Sequence, residues 1–267
     1  MILKTIQLLF ILLIFEVNCK SQNSVNDLLI YKKSSNKTVK GLSIEINQIK
    51  INNTASTWNG LQFVWLKIPI NNLSFTIEDL GKSIEPRNEL SNYEQLDDIV
   101  ITNGGFYDDS KKYDGLVKIN NVIRSNFKDW EQGGFLLQSN KEIMILPISF
   151  HNNLNLFSYN YILQSKPIVV DNGKNVVFSN SYSRSNRIGI GFDNFGNLLI
   201  VIAYNDDGYA MSLYELGELL KTKDINTDTF LALDGGPNVS LYIPKLNNFF
   251  VGTRNRTYIA NILHIKK

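Results

Sequence analysis

Short apolar runs with a period of two residues dominate this sequence from residue 42 to its end, and turns rich in Asn, Asp and Gly separate them. Such alternation places successive side chains on opposite faces of a strand, and turns of this composition join neighbouring strands. The clearest pair is residues 187–192 and 198–203, joined through residues 193–196. The pattern predicts an α+β fold of mostly antiparallel or mixed β-sheets packed together, with one or two helices.

One stretch has the pattern of a helix. Ser212 and Glu215 have the spacing of a capping box, in which each side chain bonds the other's backbone N–H. Leu213, Leu216 and Leu220 recur on one face. We therefore predict a helix that starts after Ser212. Glu215 is then either the capping side chain or a catalytic carboxylate, and the sequence leaves both open.

The N-terminal 40 residues differ from the rest in composition. Lys4 and the apolar run 6–15, which is too short to span a bilayer, are typical of a secretory signal, so we predict a signal peptide over residues 1–18. Cys19 follows directly, which predicts either a lipidated N-terminus or a cysteine inside a discarded signal peptide. The polar stretch 19–40 predicts a tether.

The remaining chain is long enough to bury a sizeable core as one domain. We predict N-terminal strands over 41–98, with a helical or irregular crossing over 78–98 that Pro86 interrupts, and the principal domain over 99–267. With 27 basic and 25 acidic residues, the net charge of +2 does not favour a nucleic-acid surface or electrostatic membrane binding. We expect no nucleic-acid partner, membrane contact only through a lipid anchor, and an exported protein that is membrane-anchored, periplasmic or extracellular.

Histidine and cysteine chemistry has little support in the sequence. His151 and His264 are the only histidines and stand in unrelated contexts, and Cys19 is the only cysteine. These observations disfavour a His-ligated zinc site, a His-based triad and a thiol nucleophile in the domain. No glycine-rich nucleotide-binding motif occurs either. Carboxylate, amide and guanidinium chemistry remains.

Residues 230–243 place an Asp-Gly-Gly-Pro turn between two apolar runs. Asp-Gly between such runs is commonly a tight hairpin. Pro237 cannot donate to a β-ladder, however, so the second run cannot begin as a plain central strand. The turn presents the carboxylate of Asp234 together with the backbone N–H groups of Gly235 and Gly236, which suits acid–base chemistry beside an anion.

Further polar side chains lie at strand ends or beside glycines, where loops carry function. Guanidinium binds phosphate bidentately, and glycine allows close approach of the backbone, so this set suits a phosphate or polyhydroxylated ligand. The set comprises Asn103 with Gly104 and Gly105, Gln164, Arg187 and Asp207.

Taken in order, the motifs resemble those of the phosphodiester glycosidase family over about residues 99–265. The matching stretches are 102–108, 115–117, 133–135, 164–167, 187–191, 207–208, 212–216 and 233–237. Three stretches depart from the family pattern. Lys166 stands where Gly usually precedes Pro, Asn238 where Ser is usual, and Arg187-Ile188-Gly189 where Arg-Thr-Ala is usual.

The resemblance implies an enzyme that hydrolyses a sugar 1-phosphodiester, such as a GlcNAc-1-phosphodiester, at the anomeric carbon, in envelope or extracellular polysaccharide metabolism. It implies that Arg187 binds the phosphate and that Asp234 acts as base for water or as nucleophile, with Asp207 as the second carboxylate. The implied substrate-binding residues are Asn103, Gly104, Gly105, Gln164, Gly235 and Gly236. No cofactor is implied with certainty, and a divalent cation near Asp207 and Asp234 is left open.

Two other functions are compatible with the same residues. One is a non-catalytic surface lipoprotein that binds glycans or a partner protein through the same cleft, because a fold does not guarantee chemistry. The other is a structural envelope protein, in which the polar set would be scattered. An enzyme requires that Asp234, Arg187 and Asn103 meet at a common pocket.

Overall fold

The structure is a computed structural model that describes residues 29–52, 58–139, 142–178, 183–246 and 249–267. The first nine strands in these ranges are β1 (Leu29–Val39), β2 (Leu42–Asn52), β3 (Gln62–Ile68), β4 (Ser74–Ile84), β5 (Asp98–Asn103), β6 (Val117–Ile119), β7 (Val122–Ser125), β8 (Gly134–Gln138) and β9 (Ile143–Pro147). The others are β10 (Tyr161–Ser165), β11 (Ile168–Asp171), β12 (Lys174–Asn175), β13 (Arg187–Asp193), β14 (Leu198–Tyr204), β15 (Thr227–Ala232), β16 (Ser240–Ile243), β17 (Phe249–Gly252) and β18 (Thr257–Lys266).

The strands form three sheets. The largest has the order β1-β2-β3-β14-β13-β15-β11-β12, and the two five-stranded sheets have the orders β7-β6-β10-β8-β9 and β17-β16-β5-β18-β4. Every strand pair in them is antiparallel. The predicted class, mostly antiparallel sheets with few helices, is confirmed.

The main hydrophobic core lies where the three sheets face one another. Leu66 and Ile200 come from the large sheet, Leu136 and Leu163 from one small sheet, and Leu241 from the other, and all are buried in one cluster. Burial of each such side chain stabilises the fold by about 1.5–3 kcal/mol. The sheets are therefore held together, with their strand ends and connecting loops at fixed positions.

The predicted helix is present as α2 (Leu213–Leu220), and α1 (Pro86–Glu89) is a single turn followed by a 3₁₀ turn. Both bonds of the predicted capping box are formed, so the carboxylate of Glu215 caps α2. Leu216 and Leu220 pack in a second core cluster on β-strand side chains.

Two expectations for the N-terminal part are wrong. Residues 78–84 belong to strand β4, and Pro86 opens α1, where its missing N–H costs nothing. Residues 29–39 of the predicted tether form β1, which pairs along its length with β2 and so satisfies its backbone groups. The predicted signal peptide and Cys19 lie outside the described residues. No helix in the described ranges has the length and apolar composition needed to cross a bilayer.

The Asp-Gly-Gly-Pro segment joins two sheets. β15 lies between β13 and β11 in the large sheet, whereas β16 lies between β17 and β5 in a small one. The alternative of a tight hairpin is therefore wrong, in agreement with the constraint from Pro237. The crossing point places Asp234 at the end of a buried strand, between sheets.

Candidate active site

A cleft of about 660 Å³ opens at this crossing, and we call it the Asp234 cleft. Its floor includes the end of β15 and the start of β13, and its rim includes the loop between β7 and β8. The cleft is lined by the side chains of Phe106, Asp129, Trp130, Glu131, Lys166, Arg187 and Asp234, together with Gly235 and Gly236 and other residues.

Asp234 is the most perturbed acid of the cleft. Burial raises the pKa of Asp234 from its ordinary 3.8 to about 7, although hydrogen bonds from Asn238 and from the backbone of Gly235 oppose the shift. The Asp234 backbone N–H donates to the carbonyl of Gly104 at 3.0 Å. The carboxyl group is thus held in place and can exchange a proton near neutral pH.

Asn238 orients the Asp234 carboxylate. Its Nδ2 donates to Asp234 Oδ2 at 2.6 Å and lies 3.4 Å from the hydroxyl of Tyr107, while its Oδ1 accepts from the Thr257 hydroxyl at 2.5 Å. The Thr257 bond fixes the Oδ1 end of the amide, so the donor end faces the acid. Asn238 is buried, which makes this bond to Asp234 hard for water to replace.

Asn103 lies beside Asp234 but does not face the cleft. It is 1% exposed. Its Nδ2 donates to the backbone carbonyl of Asp234 at 2.7 Å, and its Oδ1 accepts from the backbone N–H of Ser240 at 2.9 Å. Asn103 therefore hydrogen-bonds to the backbone at both ends of the segment that starts with the acid. Its side chain supports this segment, and the predicted contact with substrate oxygens is not available to it.

Arg187 lines the same cleft from the first residue of β13. Its Nε donates to the Met211 carbonyl at 3.2 Å, and one terminal nitrogen donates to the Ser183 carbonyl at 2.9 Å. Burial lowers the pKa of Arg187, but a guanidinium remains charged at neutral pH. Two carbonyls therefore orient a cation whose other terminal nitrogen has no hydrogen-bond partner among the described residues.

Gln164 is behind the wall of the cleft. It has no exposed surface. Its Oε1 accepts from the backbone N–H groups of Leu116 at 2.7 Å and Lys128 at 3.1 Å, and its Nε2 donates to the Lys128 carbonyl. All of its polar atoms are thus engaged by backbone groups. The structure gives Gln164 a position that supports the loop carrying Trp130, in place of the predicted contact with substrate.

Asp207 lies outside the Asp234 cleft. Its side chain belongs to an exposed turn, where Oδ1 accepts from the Tyr209 N–H at 2.8 Å. Its catalytic role stays a prediction without support from its position. The described residues contain no group of three or more His, Cys, Asp or Glu side chains placed to hold a metal ion.

The four predicted glycines divide into two pairs. Gly235 and Gly236 line the cleft. Gly104 and Gly105 are buried, and their N–H groups donate to the backbone and side-chain oxygens of Asn261. A Cβ on Gly104 would lie 1.8 Å from Asn261 Oδ1, so close packing explains that glycine.

The profile of one family, described as phosphodiester glycosidase, matches residues 97–266 of this sequence. The chain belongs to the phosphodiester glycosidase family. A search of curated proteins finds no match.

Solved structures similar to this family member share its fold. The catalytic domain of zebrafish N-acetylglucosamine-1-phosphodiester alpha-N-acetylglucosaminidase aligns with a TM-score of 0.61 at 14% identity, covering 93% of this chain and 85% of that one. A putative exported protein from Burkholderia pseudomallei aligns at 0.63 and 8% identity, covering 92% and 100%. A hypothetical protein from Synechocystis aligns at 0.56 and 12% identity, covering 89% and 68%.

Several cleft residues of this phosphodiester glycosidase family member escaped the sequence reasoning. Asp129, Trp130 and Glu131 lie on the loop between β7 and β8, where an aromatic ring between two carboxylates is the only available signal. Lys166, noted only as a departure from the family pattern, places its ammonium 4.3 Å from the centre of the Trp130 ring. Asn238, noted in the same way, is the partner of Asp234.

Proposed function

We propose that this protein is an exported hydrolase that cleaves a sugar 1-phosphodiester, of the GlcNAc-1-phosphodiester kind, at the anomeric carbon. The family supports a carbohydrate phosphodiester as the substrate class. The observation that carries the proposal is that Asp234, with its pKa near neutrality, and Arg187 line one cleft although they lie on different strands.

The chemistry fits these two groups. Cleavage breaks the bond between the anomeric carbon and the phosphate oxygen, so positive charge develops on the sugar and negative charge on the departing phosphate. Arg187 offsets the charge on the phosphate, and ionised Asp234 acts at the anomeric centre as base for water or as nucleophile. Since phosphate leaves readily, the cation substitutes in part for a general acid.

A substrate screen with matched variants tests the proposal. We expect the purified protein to release GlcNAc from a GlcNAc-1-phosphodiester, and Asp234→Asn and Arg187→Ala to lose about a hundredfold or more of this activity while remaining folded by circular dichroism. Asp97→Asn, at an exposed aspartate that does not line the cleft, serves as the control. An Asp234→Asn enzyme with near-normal turnover would exclude the assignment.

The competing function has a distinct outcome. A glycan-binding protein would bind the diester in calorimetry, lose that binding in Arg187→Ala, and release no sugar over long incubation. No described contact favours this outcome over catalysis, since binding alone does not require a carboxyl group that titrates near neutrality.

Export and lipid anchoring belong to the same proposal. Support comes from the sequence of residues 1–19, which lie outside the described part of the chain. Labelled palmitate should be incorporated into the wild-type protein and not into Cys19→Ser. If the wild-type protein incorporates no label, the lipid anchor is excluded, and the proposal becomes an exported protein with a cleaved signal peptide and no anchor.

A further inference from the structure

A second pocket of about 470 Å³ lies near the Asp234 cleft, and we call it the lysine–tyrosine pocket. It is formed by β4, the loop after β5, β7 and β18. Its charged and aromatic lining includes the side chains of Asp79, Asp108, Lys111, Lys112, Arg124 and Tyr258.

Cations outnumber acids among the side chains that line this pocket. Lys111, Lys112 and Arg124 form no ion pair with any residue in the described ranges. Of the two acids, Asp108 has an internal partner, because its Oδ1 accepts from the Lys112 backbone N–H at 3.0 Å. Three positive charges therefore face the pocket against two carboxylates, an arrangement that favours an anion.

Aromatic rings supply a second feature. The ammonium of Lys111 lies 4.6 Å from the centre of the Tyr107 ring and 4.7 Å from that of Tyr258. The two rings are 4.6 Å apart and packed edge to face. Half-buried tyrosine rings beside cations suit a ligand that combines an apolar sugar face with a phosphate.

One short segment lines both cavities, the Asp234 cleft with one residue and the lysine–tyrosine pocket with another. Phe106 lines the Asp234 cleft and Asp108 lines the lysine–tyrosine pocket, so the chain between them spans at most ~7 Å. Tyr107, between these residues, reaches Asn238 with its hydroxyl, and Asn238 bonds Asp234. The lysine–tyrosine pocket therefore lies beside the segment that contacts the acid, at a separation that a substrate of more than one unit can span.

We propose that the lysine–tyrosine pocket is a subsite for a second phosphate of the substrate, so that the preferred substrate is a glycan whose successive units carry phosphodiesters. This inference rests on the proposed function, because it places the scissile diester at Asp234. A single-diester substrate would fill the Asp234 cleft and leave the second pocket vacant.

The test compares two substrates on one variant. The first substrate is the methyl diester of GlcNAc-1-phosphate, which has one phosphate. The second is an oligomer of GlcNAc-phosphate units that has at least three phosphates. In Lys112→Ala/Arg124→Ala we expect KM for the oligomer to rise about tenfold with kcat unchanged, because two charged contacts are lost. Both constants for the methyl diester should stay as in the wild-type protein.

A charge-matched control separates local binding from long-range attraction. Lys37→Ala/Lys50→Ala removes two positive charges from the β1–β2 pair and should leave both substrates unaffected. An equal rise in KM for both double variants would overturn the subsite, because net charge alone would then explain it. An unchanged KM for the oligomer in Lys112→Ala/Arg124→Ala would overturn it as well.

Binding measurements keep the inference independent of turnover. In the Asp234→Asn background, calorimetry should show about tenfold weaker oligomer binding when Lys112→Ala/Arg124→Ala is added. If the wild-type protein hydrolyses neither substrate but this difference is seen, the proposed activity fails while the subsite stands. If the oligomer binds equally well to both proteins, the subsite fails whatever the activity.

Discussion

The hydrogen bond from Asn238 to Asp234 controls the protonation of the acid, and Asn238→Leu should reveal it. Leu has the same number of side-chain heavy atoms as Asn and the same branching at Cγ but a larger volume, so the substitution removes the donor without leaving space for water. The carboxylate then loses the side-chain donor that opposes the effect of burial. We expect the pKa of Asp234 to rise above its present value of about 7.

The size of this rise follows from the bond itself. A hydrogen bond to a charged group contributes about 1.5–3 kcal/mol, and the 2.6 Å separation and burial of Asn238 make it a strong example. Since one pKa unit corresponds to about 1.36 kcal/mol, the shift should be about one to two units. At pH 7 the ionised fraction of Asp234 would fall from about half to below about a tenth.

Two measurements report the shift. If ionised Asp234 is the base or nucleophile, the acidic limb of kcat/KM against pH should move upward by one to two units, with a recovered rate at high pH. Carbon-detected NMR titration of the aspartate carboxyl groups, with the Asp234 signal identified by its loss in Asp234→Asn, gives the same pKa without any need for activity.

Matched variants decide the interpretation. Asn197→Leu removes another Asn-to-Asp bond, of 3.0 Å to Asp193, and should leave the Asp234 titration unchanged. Asn238→Ser retains a hydrogen-bond donor, so its Asp234 pKa should lie between that of the wild-type protein and that of Asn238→Leu. An Asp234 pKa that stays the same or falls in Asn238→Leu would refute the reasoning, because the amide would then not stabilise the charged form.

Three further predictions concern stability. The folded protein holds Asp234 protonated up to about pH 7, whereas the unfolded chain releases that proton near pH 3.8, so the free energy of unfolding decreases as pH rises between these values. Asp234→Asn removes this dependence. In urea unfolding, the free energy of unfolding of Asp234→Asn relative to that of the wild-type protein should therefore increase by up to about 4 kcal/mol from pH 4 to pH 8. Gln164→Leu should lower the free energy of unfolding by about 2–4 kcal/mol at any pH, because it leaves the buried N–H of Leu116 and the partly buried N–H of Lys128 without an acceptor. A loss below about 0.5 kcal/mol would contradict the supporting role. Gly104→Ala should lower the free energy of unfolding by about 1–3 kcal/mol, because the added methyl group overlaps Asn261. In the comparison variant Gly196→Ala, the methyl group meets no atom within 4 Å, so only the ~1 kcal/mol penalty of a left-handed backbone is expected. Thermal denaturation of the two variants measures the difference.

Short-range patterns in the sequence are sufficient to predict the local elements of this fold. Period-two runs and Asn- or Gly-containing turns predict most strands, and the turn at Asn120 and Asn121 has the positive φ values that such hairpins require. The capping box predicts α2, and Pro237 excludes a simple hairpin after Asp234. These features depend on residues close in the chain, which is why the sequence displays them.

Which polar residues share a cleft depends on contacts between segments that are distant in the chain. An Asn or Gln side chain can bind either a ligand or the protein backbone, and the sequence alone does not distinguish these roles. In the folded protein, Asn103 and Gln164 are buried and bind backbone groups. Asn238 meets Asp234, and Trp130 meets Lys166, through the packing of separate sheets and loops. The proton affinity of Asp234 is likewise a property of its buried surroundings, because desolvation depends on atoms contributed by distant segments.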